Sequence, residues 1–242
     1  MTAAFETRRE VLPDPDALAR RVADWLLDLA TAKDGDFSVC LSGGSTPQRL
    51  YRLFAAPPCR DLLPWSRIHL FWGDERFVPH EDARSNFRMV REALLSKVSI
   101  PPANIHPVPT EHIDSQAAAA AYEGVLQSYY GADRLLPDRK LFDVTFLGLG
   151  TDGHTASLFP GTRALSERSR WAVPVIGAND ETRITLTYPA LESSRQVAFL
   201  VEGEEKRSIV SRVMAGDTDL PAARLQPEGQ LTWFLDRAAA GA

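Results

Sequence analysis

The chain has 242 residues, 44% hydrophobic and 24% charged, the balance of a soluble globular protein long enough to bury a sizeable core. Its formal charge of −5 argues against a nucleic-acid surface, so an anionic ligand must be met by a local cluster of cations. Residues 1–6 show no charged segment leading into an apolar core, and no apolar run of about 18 residues occurs; a cytoplasmic protein without membrane contact is expected.

Leu18, Val22, Trp25, Leu26 and Leu29 recur at helical spacing and predict one long helix over residues 13–33, begun by Asp14-Pro15 and closed by Gly35. Phe37-Ser38-Val39-Cys40-Leu41 is a short apolar strand, and it runs into Ser42-Gly43-Gly44-Ser45-Thr46-Pro47 before Leu50, Leu53 and Phe54 resume a helical period. Two readings of that junction stand side by side. Glycines ahead of a helix with Pro in its first turn can leave backbone N–H groups free for an anion such as a phosphate, or they form a tight turn with an ordinary Ser/Thr cap. No G-K-[ST] follows, so this is not a Walker A loop.

Residues 67–72 form the next strand, and its exit, Gly73-Asp74-Glu75-Arg76, is either a chemistry-bearing loop or a solvated charged one. Ser85-Asn86 caps a helix with Phe87, Val90, Leu94 and Leu95 inward and Arg88 and Arg91 on other faces, stopped by Pro101-Pro102. An extended connection over residues 104–109 leads to an Ala-rich helix over 114–130, with Ala118, Tyr122, Val125 and Tyr129 as its apolar stripe.

The chain then turns on residues 142–160. Val144 to Leu147 read as a buried strand whose exit presents Asp152 and His154 two residues apart. Gly148, Gly150 and Gly153 spell G-x-G-x-x-G, the dinucleotide fingerprint, but Asp152 would oppose a pyrophosphate and Pro160-Gly161 interrupt the helix that should follow. These glycines are read as backbone freedom around the two polar residues, and no cofactor is expected. Beyond them, residues 171–175 suggest an edge strand because of Pro174, 183–187 alternate as another strand, 189–191 start a short helix, and 196–201 and 231–236 are buried strands. Between the last two, Glu202 to Arg207 cap a helix through Ile209, Val210 and Val213. Strands alternating with helices predict an α/β fold, a mostly parallel twisted sheet with helices on both faces, in a single domain over residues 1–242.

Parallel strands place their carboxyl ends on one rim, so the separate exits can meet there. They supply the 43–46 turn, Asp74 and Arg76, Asp152 and His154, and the cations Arg183 and Lys206. An imidazole is the natural general base at neutral pH, and Arg76 could stabilise an oxyanion. His69, His80, His106 and His112 sit in a strand or in loops near prolines and charges and are read as structural or solvent-facing. Cys40 reads as a buried thiol and Cys59, beside Pro57-Pro58, as a loop thiol; no ligand spacing suggests a metal.

Leu41-Ser42-Gly43-Gly44-Ser45-Thr46-Pro47, Phe71-Trp72-Gly73-Asp74-Glu75-Arg76-Phe77-Val78-Pro79, Ser85-Asn86-Phe87 and the run from Gly148 to Pro160 together resemble the 6-phosphogluconolactonase family, in order and spacing over nearly the whole chain. The resemblance implies a sugar-phosphate isomerase-like α/β fold shared with glucosamine-6-phosphate deaminases. Those enzymes carry a carboxylate in the segment after the histidine, where this chain has Ala156-Ser157-Leu158-Phe159-Pro160 and no acid until Glu167. The implied reaction is metal-free hydrolysis of 6-phosphoglucono-δ-lactone in the oxidative pentose phosphate pathway. His154 would act as base, Asp152 or Asp74 would orient it, and Arg76 would meet the oxyanion. Ser42, Gly43, Gly44, Ser45 and Thr46 would hold the phosphate, helped by Lys206 and Arg183 or Arg88. A monomer or weak homodimer acting on a small phosphorylated lactone is expected. A sugar-phosphate sensor is the reading from another class, but no basic helix-turn-helix fits before Phe37.

Overall fold

The first described residue, Thr7, opens a strand at the edge of the main sheet. The computed structural model describes residues 7–111, 113–178 and 180–242; the 1–6 stretch and His112 lie outside them. The elements are β1 (Thr7–Leu12), α1 (Pro15–Ala32), β2 (Phe37–Leu41), α2 (Ser45–Phe54), α3 (Cys59–Leu62), β3 (Ile68–Trp72), β4 (Asp74–Arg76), α4 (Asn86–Ala93) and β5 (Ile105–His106). There follow α5 (Ser115–Tyr130), β6 (Phe142–Leu147), β7 (Ala172–Ala178), β8 (Glu181–Leu186), α6 (Tyr188–Glu192), β9 (Ser194–Val201), α7 (Arg207–Met214), β10 (Gln230–Asp236) and α8 (Arg237–Ala240). Asp14 starts α1 as the sequence predicts, its carboxylate accepting from Ala17 N at 2.7 Å.

Seven strands form one sheet in the order β1-β10-β9-β6-β2-β3-β5, parallel at every pairing. β2 and β6 are buried at every residue, which requires cover on both faces and explains why consecutive residues such as Val39, Cys40 and Leu41 are all apolar. Trp25 of α1 packs between Phe146 and Phe234, with ring centroids 6.5 and 5.4 Å away.

Three strands leave this frame. β4, β8 and β7 pair antiparallel in a second, small sheet. Residues 183–187 are thus a strand as expected, and Pro174 does lie on an edge strand, but in a different sheet from the parallel one. Residues 74–76, weighed as a loop, are strand β4, because pairing with β8 overrides a local composition of three charged side chains. β1 has no counterpart in the sequence reading. It is an edge strand with four of its six residues exposed, so no buried face imposes an apolar pattern. β5, within the expected extended connection, adds two residues to the other edge. α4 stops at Ala93 rather than at Pro101-Pro102, since Leu94 leaves helical geometry with φ −131° and ψ −63°. Cys59, read as a loop thiol, opens α3 and is buried.

Two buried tyrosines brace the strand ends from which the site is built. Tyr51 OH donates to Ser42 O at 2.8 Å and accepts from Ser42 N at 3.0 Å. Tyr122 OH does the same for Trp72, at 2.8 and 2.7 Å. Where a ladder ends, both backbone groups lose their partners; a phenol, donor and acceptor at once, satisfies both without water.

Candidate active site

The carboxyl ends of β2, β6 and β9, together with one face of the small sheet, enclose a cleft of about 360 Å³, a volume suited to a small ligand. Ser42, Gly43, Gly44, Ser45, Thr46, Asp74, Arg76, His154, Arg183 and Lys206 all line it. Of the residues singled out from sequence, two do not. Asp152 stands behind His154, and Arg88 lies elsewhere, donating to Glu92 at 2.7 Å and to the Glu81 carbonyl at 2.7 Å.

The turn after β2 lacks the side-chain cap that one of its two sequence readings requires. Gly44 precedes α2 with φ +105° and ψ 172°, a conformation open to glycine, and no side chain caps the helix. An ordinary Ser/Thr cap is therefore not made. The first-turn N–H groups of Ser45 and Thr46 stay available at the positive end of a ten-residue helix, the geometry that suits a phosphate.

Opposite lies the imidazole. His154 Nδ1 is 2.5 Å from Asp152 Oδ1, which also accepts from the His154 backbone N at 3.1 Å. Burial raises the Asp152 carboxyl, but the hydrogen bonds from His154 outweigh it and hold the group below its ordinary value. A carboxylate on Nδ1 places that ring proton there and leaves Nε2 as the basic nitrogen. The side chain is 26% exposed and packs on Phe159 with ring centroids 4.2 Å apart. The dyad folds tightly over Gly150, where a Cβ would stand 2.0 Å from His154 Nδ1 and 2.6 Å from Asp152 Oδ1. Of the three glycines only Gly150 lies against the polar pair; Gly153, at φ +81°, faces Leu220, and Gly148 comes near neither residue.

The small sheet supplies the cations. Asp74 pairs with Thr185 and Arg76 with Arg183 across β4 and β8, and the two-residue period puts these four side chains on one face. Two arginines directly opposite one another repel, an arrangement that favours an anion nearby. Arg76 Nη1 donates to Arg84 O at 2.6 Å, while buried Nε atoms of both arginines have no hydrogen-bond partner. Lys206 has no ion-pair partner among the described residues and lies in the turn before α7.

Asp74 does not touch His154; its Oδ2 accepts from Ser157 Oγ at 2.6 Å. Of the two carboxylates considered for orienting the histidine, Asp152 is the one in contact. Glu75, between Asp74 and Arg76, points away and is 1% exposed. Its carboxylate accepts from the backbone N of Arg76, Asn86 and Phe87 at 2.8, 2.7 and 2.7 Å. Burial nonetheless pushes its carboxyl above the ordinary value. By sequence Asn86 is only part of a helix cap. It is buried, lines the cleft, and donates through Nδ2 to Asp74 O at 3.0 Å; a polar side chain among the apolar positions of α4 was the signal. Glu202 and Glu205 also line the cleft. His69, His80 and His106 do not: His69 Nδ1 lies 3.1 Å from His106 Nε2, and His80 Nε2 lies 2.9 Å from Val108 O.

Residues 13–233 match the family model for glucosamine-6-phosphate isomerases/6-phosphogluconolactonase. A Nostoc 6-phosphogluconolactonase is 44% identical over 239 residues, 96% of each chain. The crystal structure of 6-phosphogluconolactonase from Thermotoga maritima superposes with a TM-score of 0.80 at 31% identity, covering 96% of this chain and all of that one. A monomeric glucosamine-6-phosphate deaminase also superposes, with a TM-score of 0.82 at 21% identity over 97% of this chain and 99% of its own; that likeness speaks for the fold alone.

Proposed function

Because the chain belongs to the glucosamine-6-phosphate isomerase/6-phosphogluconolactonase family, we propose that it hydrolyses 6-phosphoglucono-δ-lactone to 6-phosphogluconate, as a single lactonase domain over residues 1–242. The reaction belongs to the oxidative pentose phosphate pathway. The observation that carries the choice within the family is the aromatic ring of Phe159 against His154. Ring opening and ammonia loss would need a further acid or base beside that histidine; opening an activated ester does not.

In this reading the phosphate lies at the N-terminus of α2, held by the Gly43 to Thr46 backbone and hydroxyls and by Lys206. His154 Nε2 takes a proton from water as the water oxygen attacks the lactone carbonyl. Arg76 stabilises the tetrahedral oxyanion, and Asp152 stabilises the imidazolium that forms. As the intermediate collapses, the C–O bond to the ring oxygen breaks and that oxygen receives the proton from His154; the new carboxylic acid ionises. Arg88, with its guanidinium committed to Glu92 and the Glu81 carbonyl, has no part. The reading places the enzyme in the cytoplasm, working on a dissolved sugar phosphate.

The test is substrate choice. Lactone generated in situ should disappear faster with the purified protein than without it, with chelator making no difference, and glucosamine 6-phosphate should release no ammonia. Ammonia release without lactone loss would make it a deaminase. Binding of both sugars without turnover would make it a sensor.

A further inference from the structure

Ser157 is completely buried, and the reaction just described does not use it. Its Oγ donates to Asp74 Oδ2 at 2.6 Å, and its own backbone N donates to Thr185 Oγ1 at 3.1 Å. The same Asp74 oxygen lies 3.9 Å from Arg183 Nη1. That spacing is unusual for an arginine and a carboxylate in a largely enclosed place, where two parallel hydrogen bonds normally form. On its other side Arg183 Nη2 is held by Glu181 at 3.0 Å, and the guanidinium lies 5.5 Å from the centre of the Phe159 ring. Arg183 is thus anchored at one nitrogen, and its Nε is unpaired.

From this geometry we infer that Ser157 is a positioning residue: its hydroxyl occupies Asp74 Oδ2 and so keeps Arg183 from closing onto Asp74, leaving the guanidinium free to bind the anionic substrate. Without the hydroxyl, the buried Oδ2 loses its short hydrogen bond, and the nearest cation is Arg183. A movement of about 1 Å by Nη1 would bring it into direct hydrogen-bond range. The guanidinium would then spend its donors on Asp74 rather than on substrate. His154, Asp152 and Arg76 would be untouched, so binding should suffer and the chemical step should not.

This inference rests on the lactonase reading, and steady-state kinetics on the lactone separates the two. Ser157→Ala should raise KM about tenfold, the scale of one lost charge-assisted hydrogen bond, with kcat within twofold of the wild type. In an Arg183→Ala background the same substitution should change KM no further, because the residue it acts through is gone. Ser157→Cys, close in size but a weak donor, should raise KM in the same direction and guards against a cavity effect. An equal KM increase in both backgrounds, a fall in kcat at constant KM, or an unchanged KM in Ser157→Cys would overturn the assignment. Wild-type protein that fails to accelerate lactone loss would instead overturn the lactonase reading. Should Ser157→Ala not fold, the Ser157→Cys pair, with and without Arg183→Ala, carries the same comparison.

Discussion

Gly150→Ala probes the dyad without removing either of its members. A methyl carbon there would meet His154 Nδ1 at 2.0 Å and Asp152 Oδ1 at 2.6 Å, whereas nonbonded carbon contacts ordinarily lie near 3.5 Å or beyond. The imidazole must therefore retreat by more than about 1 Å, and a misplacement of that size costs on the order of 100-fold in rate. The phosphate turn at Gly43 to Thr46 lies on another element and should keep its grip. Initial-rate kinetics on the lactone should give a kcat lowered about 100-fold with KM within threefold, and thermal unfolding should show the overpacking cost of about 1–3 kcal/mol. A kcat within threefold of the wild type would refute the claim that the 2.5 Å contact between His154 and Asp152 sets the geometry of catalysis.

Other substitutions test separate parts of the account. Glu75→Ala leaves three backbone N–H groups without their acceptor, and should cost about 3 kcal/mol or more, a fall in Tm of roughly 10 °C; Glu75→Gln should not restore it, since its amide turns a donor toward donors. Lys206→Ala should raise KM with little loss of kcat, read from lactone saturation curves. Acid should destabilise the fold through His106, where burial and then the neighbouring His69 push the imidazole from 6.5 down to about 4. The unfolded chain takes up that proton near 6.5 and the folded one does not until about 4, so stability falls as pH drops through this window. Replacing His106 with Phe, which keeps a ring against Phe71, should flatten part of the Tm-against-pH slope; His69, also lowered by burial, contributes in the same direction. An unchanged slope would remove His106 from that account.

The strands that bury both faces were legible because burial demands apolar residues wherever they fall, as in Val39 to Leu41 and Phe146-Leu147. Those stabilised by pairing rather than burial were not. β1 is exposed and β4 is wholly charged, and only their partners, β10 and β8, make them strands. The site shows the same division. Gly43 to Thr46, Arg76, His154, Arg183 and Lys206 could be read as pieces of one rim, since parallel strands end on one side. Which carboxylate serves the histidine could not: Asp74 and Asp152 are equivalent until the small sheet turns Asp74 toward Ser157. Arg88 failed for a related reason, because a cation one helical turn from a site is indistinguishable in sequence from one that pairs with Glu92.

The most direct test of the central claim is the rate of lactone loss with the wild type and with His154→Ala at saturating substrate, after subtracting spontaneous hydrolysis. The account predicts rapid loss with the wild type and a kcat reduced by at least about 100-fold in the variant, with KM little changed. A variant that keeps its kcat and instead loses affinity would show that His154 binds substrate rather than activating water.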